Sequence, residues 1–197
     1  MRQSETKDTG TPTIKVWDPL VRVSHWLGVA LVTTAWLTHH GPPAVHDGAG
    51  YALLALIAVR IVWGVIGPRK ARFAGFLRSP RKTWRYARAI FGGRERRYLG
   101  HNPLGGWMIL ALLLALATAC ISGWLYTTEA YWGVAWVERV HRASAVSVLV
   151  LAAIHVAGVV FTSIRQRENL AAAMVHGRKA VATGMSPERS ASAEDDD

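Results

Sequence analysis

Residues 141–155 read HRASAVSVLVLAAIH, a run of small and apolar residues with a histidine at each end. On an α-helix, 14 residues turn through about 1400°, close to four full turns, so His141 and His155 share one face. They lie about 21 Å apart along the axis, less than the roughly 30 Å hydrocarbon layer of a bilayer. A histidine inside a membrane span is costly unless it faces a partner. The stretch therefore predicts a membrane helix that presents two imidazoles to its neighbours.

The rest of the chain contains further spans of this kind. Asp, Glu, Lys and Arg are absent from 23–46, 102–128 and 143–164, and 48–68 is interrupted only by Arg60. Each stretch is long enough to cross a bilayer as a helix, and backbone groups in lipid must pair internally. A signal peptide is an alternative for the first stretch, but no small-x-small cleavage site follows it. We predict an all-α, four-helix up-down bundle over 17–165, with spans at about 22–40, 46–67, 103–127 and 141–164.

The charges predict how the bundle lies in the membrane. The connection 69–101 contains 11 Lys or Arg against one acid, Glu95. The positive-inside rule places this basic loop in the cytoplasm together with both termini. Because the excess charge lies beside spans, we read it as a topology signal with anionic-lipid contact rather than as a nucleic-acid surface. Within the loop, 79–92 predicts a short helix on the membrane surface.

The remaining segments restrict the chemistry. The tails 1–16 and 166–197 are polar, and we expect 1–16 and 177–197 to be disordered. Cys120 is the single cysteine. A disulfide framework, a C-x-x-C-H haem attachment and a cysteine-ligated iron–sulfur cluster are therefore excluded.

Matching the histidines by depth gives two pairs. His25 begins the first span and His155 ends the fourth, so both lie at the inner level; we call these the inner pair. His46 begins the second span and His141 the fourth, so both lie at the outer level; we call these the outer pair. Two neutral imidazoles facing each other are what a six-coordinate haem iron requires.

Alternatives to this interpretation remain at the level of the residues. The histidines can instead be interface groups that satisfy helix ends, and a zinc site is a weaker rival because few acids are near. His39 also follows His25 by 14 residues. His39 or His40 can therefore replace His46, and spacing does not decide between them.

Several motifs together resemble those of the bacterial cytochrome b561 family, a group that includes the b-type cytochrome subunits of nickel–iron hydrogenases. They are VWDPLVRVSHW at 16–26, HDGAGYALLALIAVRIVWGVIGP at 46–68, LGHNPLGGWM at 99–108 and the H-x13-H of the fourth span. The resemblance covers about 14–165. It implies two non-covalent b haems with His25, His46, His141 and His155 as axial ligands, and so favours His46 over His39. It also implies that Gly50, one turn from His46, leaves room for a porphyrin.

Three other residues are candidate site residues on the same grounds. Arg60 can neutralise a haem propionate or a quinone oxygen, or it can extend toward the lipid headgroups. Arg22, one turn before His25, is a candidate propionate partner or lipid contact. His101 can cap the third helix or touch a propionate or a quinone.

The resemblance implies a di-haem cytochrome of the bacterial inner membrane. Such a protein carries electrons between the quinone pool and a periplasmic redox partner such as a c-type cytochrome. Alternatives are a superoxide:quinone oxidoreductase, the membrane anchor of a hydrogenase-like complex, and a non-redox membrane scaffold. The sequence does not predict the oligomeric state.

Overall fold

The computed structural model of the protein describes residues 13–15, 17–68, 71–92 and 102–180. Four helices in it are long and apolar enough to cross a membrane. This confirms the predicted four-helix membrane fold. The four helices are α1 (Pro19–Leu37), α2 (Pro43–Ile66), α5 (Pro103–Tyr126) and α6 (Ala135–Gln166).

Capping residues and prolines determine where these helices begin. The Asp18 side chain accepts hydrogen bonds from the backbone N–H groups of Leu20 (3.0 Å) and Val21 (3.3 Å), and Pro19 occupies the first turn of α1. Asn102 caps α5 in the same way, through a 2.7 Å bond from the Gly105 N–H. An N-cap of this kind stabilises a helix by about 1 kcal/mol. A proline in the first turn loses no hydrogen bond, because that N–H has no helical partner.

The fourth spanning helix begins earlier than its apolar stretch suggests. Helix α6 starts at Ala135 rather than near His141, and its 32 residues extend over about 48 Å. Glu138 lies in the first turn, where the helix dipole favours a negative charge, and Arg142 pairs with it at 2.6 Å. His141 therefore lies in the second turn of a helix that is already established.

The packing of the bundle leaves one side open. Helix α1 packs against α2, α2 against α5, and α5 against α6, with Leu53, Ile57 and Cys120 forming a buried cluster between α2 and α5. Within the part of the chain that the structure describes, α6 makes no comparably close contact with α1 or α2. Helix α6 thus stands apart from α1 and α2, the two helices that carry the partners of its histidines.

Short elements gather at the inner ends of the spanning helices. They are β1 (Thr13–Lys15), α3 (Phe73–Phe76), α4 (Pro80–Phe91), α7 (Leu170–His176) and β2 (Arg178–Ala180). Helix α4 agrees with the surface helix predicted over 79–92, and it packs against the start of α5.

The expectation that the terminal segments are disordered is wrong for 13–15 and 178–180. Strands β1 and β2 pair antiparallel, with Ile14 opposite Lys179. The Trp17 N–H also donates to the Gly177 carbonyl at 3.3 Å. Both segments emerge beside each other at one end of the bundle, so each supplies the backbone partner that an isolated polar tail lacks.

Candidate functional site

The outer pair meets across the open side of the bundle. The ring centres of His46 on α2 and His141 on α6 lie 6.1 Å apart, with their planes at 85°. A ring nitrogen lies about 1.2 Å from its ring centre and a metal–imidazole bond is about 2.0 Å long, so two imidazoles on opposite sides of one metal have centres about 6.4 Å apart. The observed separation of the ring centres is close to this value.

Backbone carbonyls fix the orientation of both outer rings. Nδ1 of His46 lies 2.8 Å from the Ala35 carbonyl oxygen, and Nδ1 of His141 lies 2.9 Å from that of Ala119. A carbonyl oxygen only accepts, so we assign the proton of each ring to Nδ1. The other nitrogen, Nε2, then keeps its lone pair for a metal, as metal-binding histidines require.

A glycine on α5 seats the His141 ring. A Cβ at Gly123 would lie 3.0 Å from Cε1 and 3.1 Å from Nδ1 of that ring. Gly123 follows Ala119 by one helical turn, so the same face of α5 supplies both the carbonyl and the space. On α2, a Cβ at Gly50 would meet nothing within 4 Å, because Gly50 borders a cavity.

The cavity beside the outer pair is mostly apolar. It contains about 1030 Å³ of empty space, counting the part open to the surroundings, and α1, α2, α5 and α6 all contribute to its walls. A wide apolar cleft with a few converging polar groups is typical of a cofactor site. Its lining includes Val32, Trp36, His46, Gly50, Leu116 and His141.

The inner pair, toward the other end of α6, has nearly the same distance between its ring centres as the outer pair. The ring centres of His25 and His155 lie 6.4 Å apart, with the planes at 56°. Trp26 contacts the His25 ring edge-on at 5.1 Å. Nδ1 of His25 is buried and has no hydrogen-bond partner among the described residues. The His25 ring is therefore held by packing, whereas the outer rings are held by carbonyls.

Comparison with known proteins identifies the family of this chain. The family model described as prokaryotic cytochrome b561 matches residues 16–177. This chain belongs to the prokaryotic cytochrome b561 family. The cytochrome is 21% identical to a probable Ni/Fe-hydrogenase B-type cytochrome subunit of Bradyrhizobium diazoefficiens, over 89% of this chain and 90% of that protein. No solved structure matches it.

The family confirms the resemblance that the sequence motifs indicated. The protein is a multi-pass membrane cytochrome of the b type that takes part in electron transfer, and its cofactor is b-type haem. The described residues fit that group: two imidazole pairs have the separation that one iron needs, and a cleft borders the outer pair. Across 13–15, 17–68, 71–92 and 102–180, no three His, Cys, Asp or Glu side chains converge as a structural zinc site requires.

The other candidate histidines of the cytochrome lie apart from the two pairs. Helix α1 ends at Leu37, and His39 follows in the turn beyond it. The His39 ring stacks on Trp36 at 5.0 Å and contacts His40 at 3.9 Å. The structure therefore brings His46 rather than His39 to His141, while His101 lies outside the described residues.

Two arginines of the candidate site have protein partners. The buried Arg60 side chain donates to the Ala71 carbonyl at 3.3 Å, and its guanidinium lies 4.9 Å from the centre of the Phe73 ring. Arg22 donates from Nε to the Met174 carbonyl at 3.3 Å and from Nη2 to that of Val175. Arg60 thus ties α2 to the segment around α3, and Arg22 holds the carboxyl end of α7, where a cation is favoured.

Sequence reasoning missed the groups that orient the outer rings. The carbonyls of Ala35 and Ala119 have no signature, because every residue has a carbonyl. Gly123 was detectable in principle: Ala119 and Gly123 are small residues one turn apart in the third span, a pattern typical of close helix packing.

Proposed function

We propose that this cytochrome binds two b haems, one between His46 and His141 and one between His25 and His155. We further propose that it carries single electrons across the bacterial inner membrane, between the quinone pool and a periplasmic redox partner such as a c-type cytochrome. The observation that carries the proposal is the pairing itself. Two imidazole pairs, at 6.1 Å and 6.4 Å, share one helix and lie about 21 Å apart along it.

The residues around the outer pair prepare that site for electron transfer. The carbonyls of Ala35 and Ala119 hold the Nδ1 protons, so that the outer imidazoles present their lone pairs without rearrangement. The mostly apolar walls of the cleft would limit the access of water to a haem bound at the outer pair. A bound haem supplies a reversible one-electron couple. Each histidine pair would supply two imidazoles to one haem, and such a ligand set favours electron transfer over oxygen activation.

Reconstitution tests the quinone role. The haem-loaded protein in liposomes is expected to be reduced by a lipid-soluble quinol and to reduce a soluble c-type cytochrome on the other face. A preparation with its full haem content that dithionite reduces and quinol does not would contradict the quinone role. The matched variant His141→Ala should lose the transmembrane transfer while its remaining haem is still reduced by dithionite.

A second candidate function is the membrane anchor of a hydrogenase-like complex. It is favoured by the likeness to a probable Ni/Fe-hydrogenase B-type cytochrome subunit over most of both chains. An anchor would pass electrons from hydrogen to quinone only in membranes that contain both the hydrogenase and this chain. Superoxide oxidation has less support, because Arg142, one of two basic residues near the outer face, already pairs with Glu138.

A further inference from the structure

A second cleft lies at the inner end of the bundle, far from the outer pair. Helix α4 runs alongside the first turns of α5, and the groove between them contains about 620 Å³ of empty space, counting the part open to the surroundings. Its walls are Pro80, Thr83, Trp84 and Ala87 of α4 and Leu104 and Trp107 of α5.

Contacts next to the groove hold α4 against α5. The indole N–H of Trp107 donates to the Arg78 carbonyl at 3.1 Å. A Cβ at Gly106 would lie 2.9 Å from the Phe76 carbonyl oxygen, so the chain that leads into α4 crosses α5 where only a glycine permits it. The groove is therefore built into the fold.

The floor of the groove is apolar and uncovered. Trp84 is 65% exposed, Leu104 40% and Trp107 39%, although all three are large apolar side chains. On α4 the groove residues recur at the three- and four-residue spacing of one helical face. An apolar face at the end of membrane-spanning helices lies at the level where lipid chains meet their headgroups.

One flank of the groove is strongly basic. At about 100° per residue, Arg88, Arg81 and Arg85 lie about 40°, 60° and 100° around α4 from Trp84, all in the same direction. The Arg88 guanidinium stands 5.9 Å from the centre of the Trp84 ring. Arg81 and Arg85 are exposed and have no hydrogen bond or ion pair within the described chain. Helix α4 contains no Asp or Glu that could neutralise them.

We propose that this groove binds one anionic phospholipid, with an acyl chain along Trp84, Leu104 and Trp107 and its phosphate against Arg81 and Arg85. An apolar cleft with a basic flank matches a molecule that has a long hydrocarbon part and a net negative headgroup. A zwitterionic lipid offers the same hydrocarbon, but its own cation opposes the arginines. With the loop in the cytoplasm, the lipid belongs to the inner leaflet.

Lipid titration followed by native mass spectrometry tests the site. The haem-loaded protein in uncharged detergent is titrated with phosphatidylglycerol and with phosphatidylcholine of the same acyl chains. We expect tighter binding of phosphatidylglycerol, and a loss of about 10- to 30-fold in its affinity on Arg81→Gln/Arg85→Gln, since each basic residue near a lipid phosphate contributes about 1 kcal/mol. Ala87→Trp, which fills the groove, should weaken the binding of both lipids.

Matched controls separate this site from a general charge effect. Arg139→Gln/Arg142→Gln removes the same charge near the opposite face and should leave phosphatidylglycerol affinity unchanged, and all variants should keep the wild-type haem spectrum. Equal affinity for the two lipids, or full phosphatidylglycerol affinity in the Arg81/Arg85 variant, would overturn the proposal. So would displacement of bound phosphatidylglycerol by millimolar glycerol phosphate, because the groove would then be an anion site without a lipid chain.

Discussion

The histidines of the outer pair each depend on one backbone carbonyl of a different helix. Ala35 of α1 orients His46 of α2, and Ala119 of α5 orients His141 of α6. All four spanning helices thus contribute to one pair of rings. A change that shifts any of these groups by a few tenths of an ångström is expected to misdirect a ring nitrogen.

Gly123 gives the sharpest residue-scale prediction. Gly123→Leu places a side chain where the His141 ring lies, so the ring must leave Ala119 and the outer haem should be lost while the inner one stays. Haem content per polypeptide, with the visible spectrum, measures this. Gly48→Leu is the matched control, because a Cβ at Gly48 meets nothing within 4 Å. Unchanged haem content in Gly123→Leu would contradict the role given to this glycine.

The choice between His46 and His39 can be tested by single substitutions. We expect His46→Ala to lose the outer haem and His39→Ala to keep both, because His39 contacts Trp36 and His40 rather than His141. Reduced-minus-oxidised spectra of the two purified variants give the comparison. Loss of a haem in His39→Ala, with both haems kept in His46→Ala, would make His39 the ligand and contradict the pairing of His46 with His141.

At the scale of elements, the spanning helices and three of their starts were more predictable than the contacts between elements. Prolines and apolar length are local signals, so Pro19, Pro43 and Pro103 mark helix starts in the sequence itself. The two strands carry no such signal, since each is three residues long and exists only because the other is beside it. The partners of Arg60 were not predictable either. They depend on how the segment around α3 folds back against α2, which a pattern of apolar residues does not predict.

Arg22 gives an element-scale prediction. Arg22→Leu removes its hydrogen bonds to the Met174 and Val175 carbonyls and should release α7 and β2 without disturbing the spanning helices. A loss of about 1–2 kcal/mol corresponds to roughly 5- to 30-fold faster local opening. Limited trypsin digestion after Arg178 would report it, with Arg139→Leu as the control. Haem loss at an unchanged digestion rate would instead support Arg22 as a propionate partner.

For the molecule as a whole, composition predicted the number of spans, and the ordered motifs predicted the family. The histidine pairs that the structure brings together were also predictable, because an up-down bundle fixes the level of each helix end. The open side between α6 and the α1–α2 pair was not predictable. It depends on which helix faces pack, and the spans are apolar all round.

Membrane orientation can be tested with a single-cysteine approach. In a Cys120→Ser background, Ala130→Cys should react with a membrane-impermeant maleimide in intact spheroplasts, whereas Ser79→Cys should react only after lysis. The reason is the positive-inside rule applied to the basic loop. Labelling of Ser79→Cys in intact spheroplasts would show the opposite orientation. The inner pair would then lie on the periplasmic side and the outer pair on the cytoplasmic side.

The most direct test of the account is the haem content of the purified protein, measured per polypeptide together with that of His141→Ala and His155→Ala. We predict two haems in the wild type and one in each variant, because each substitution removes one of two axial imidazoles from a different iron. A wild-type protein with a single haem, or a variant at 141 or 155 that keeps the full complement, would contradict the claim that one helix carries a ligand for each of two haems.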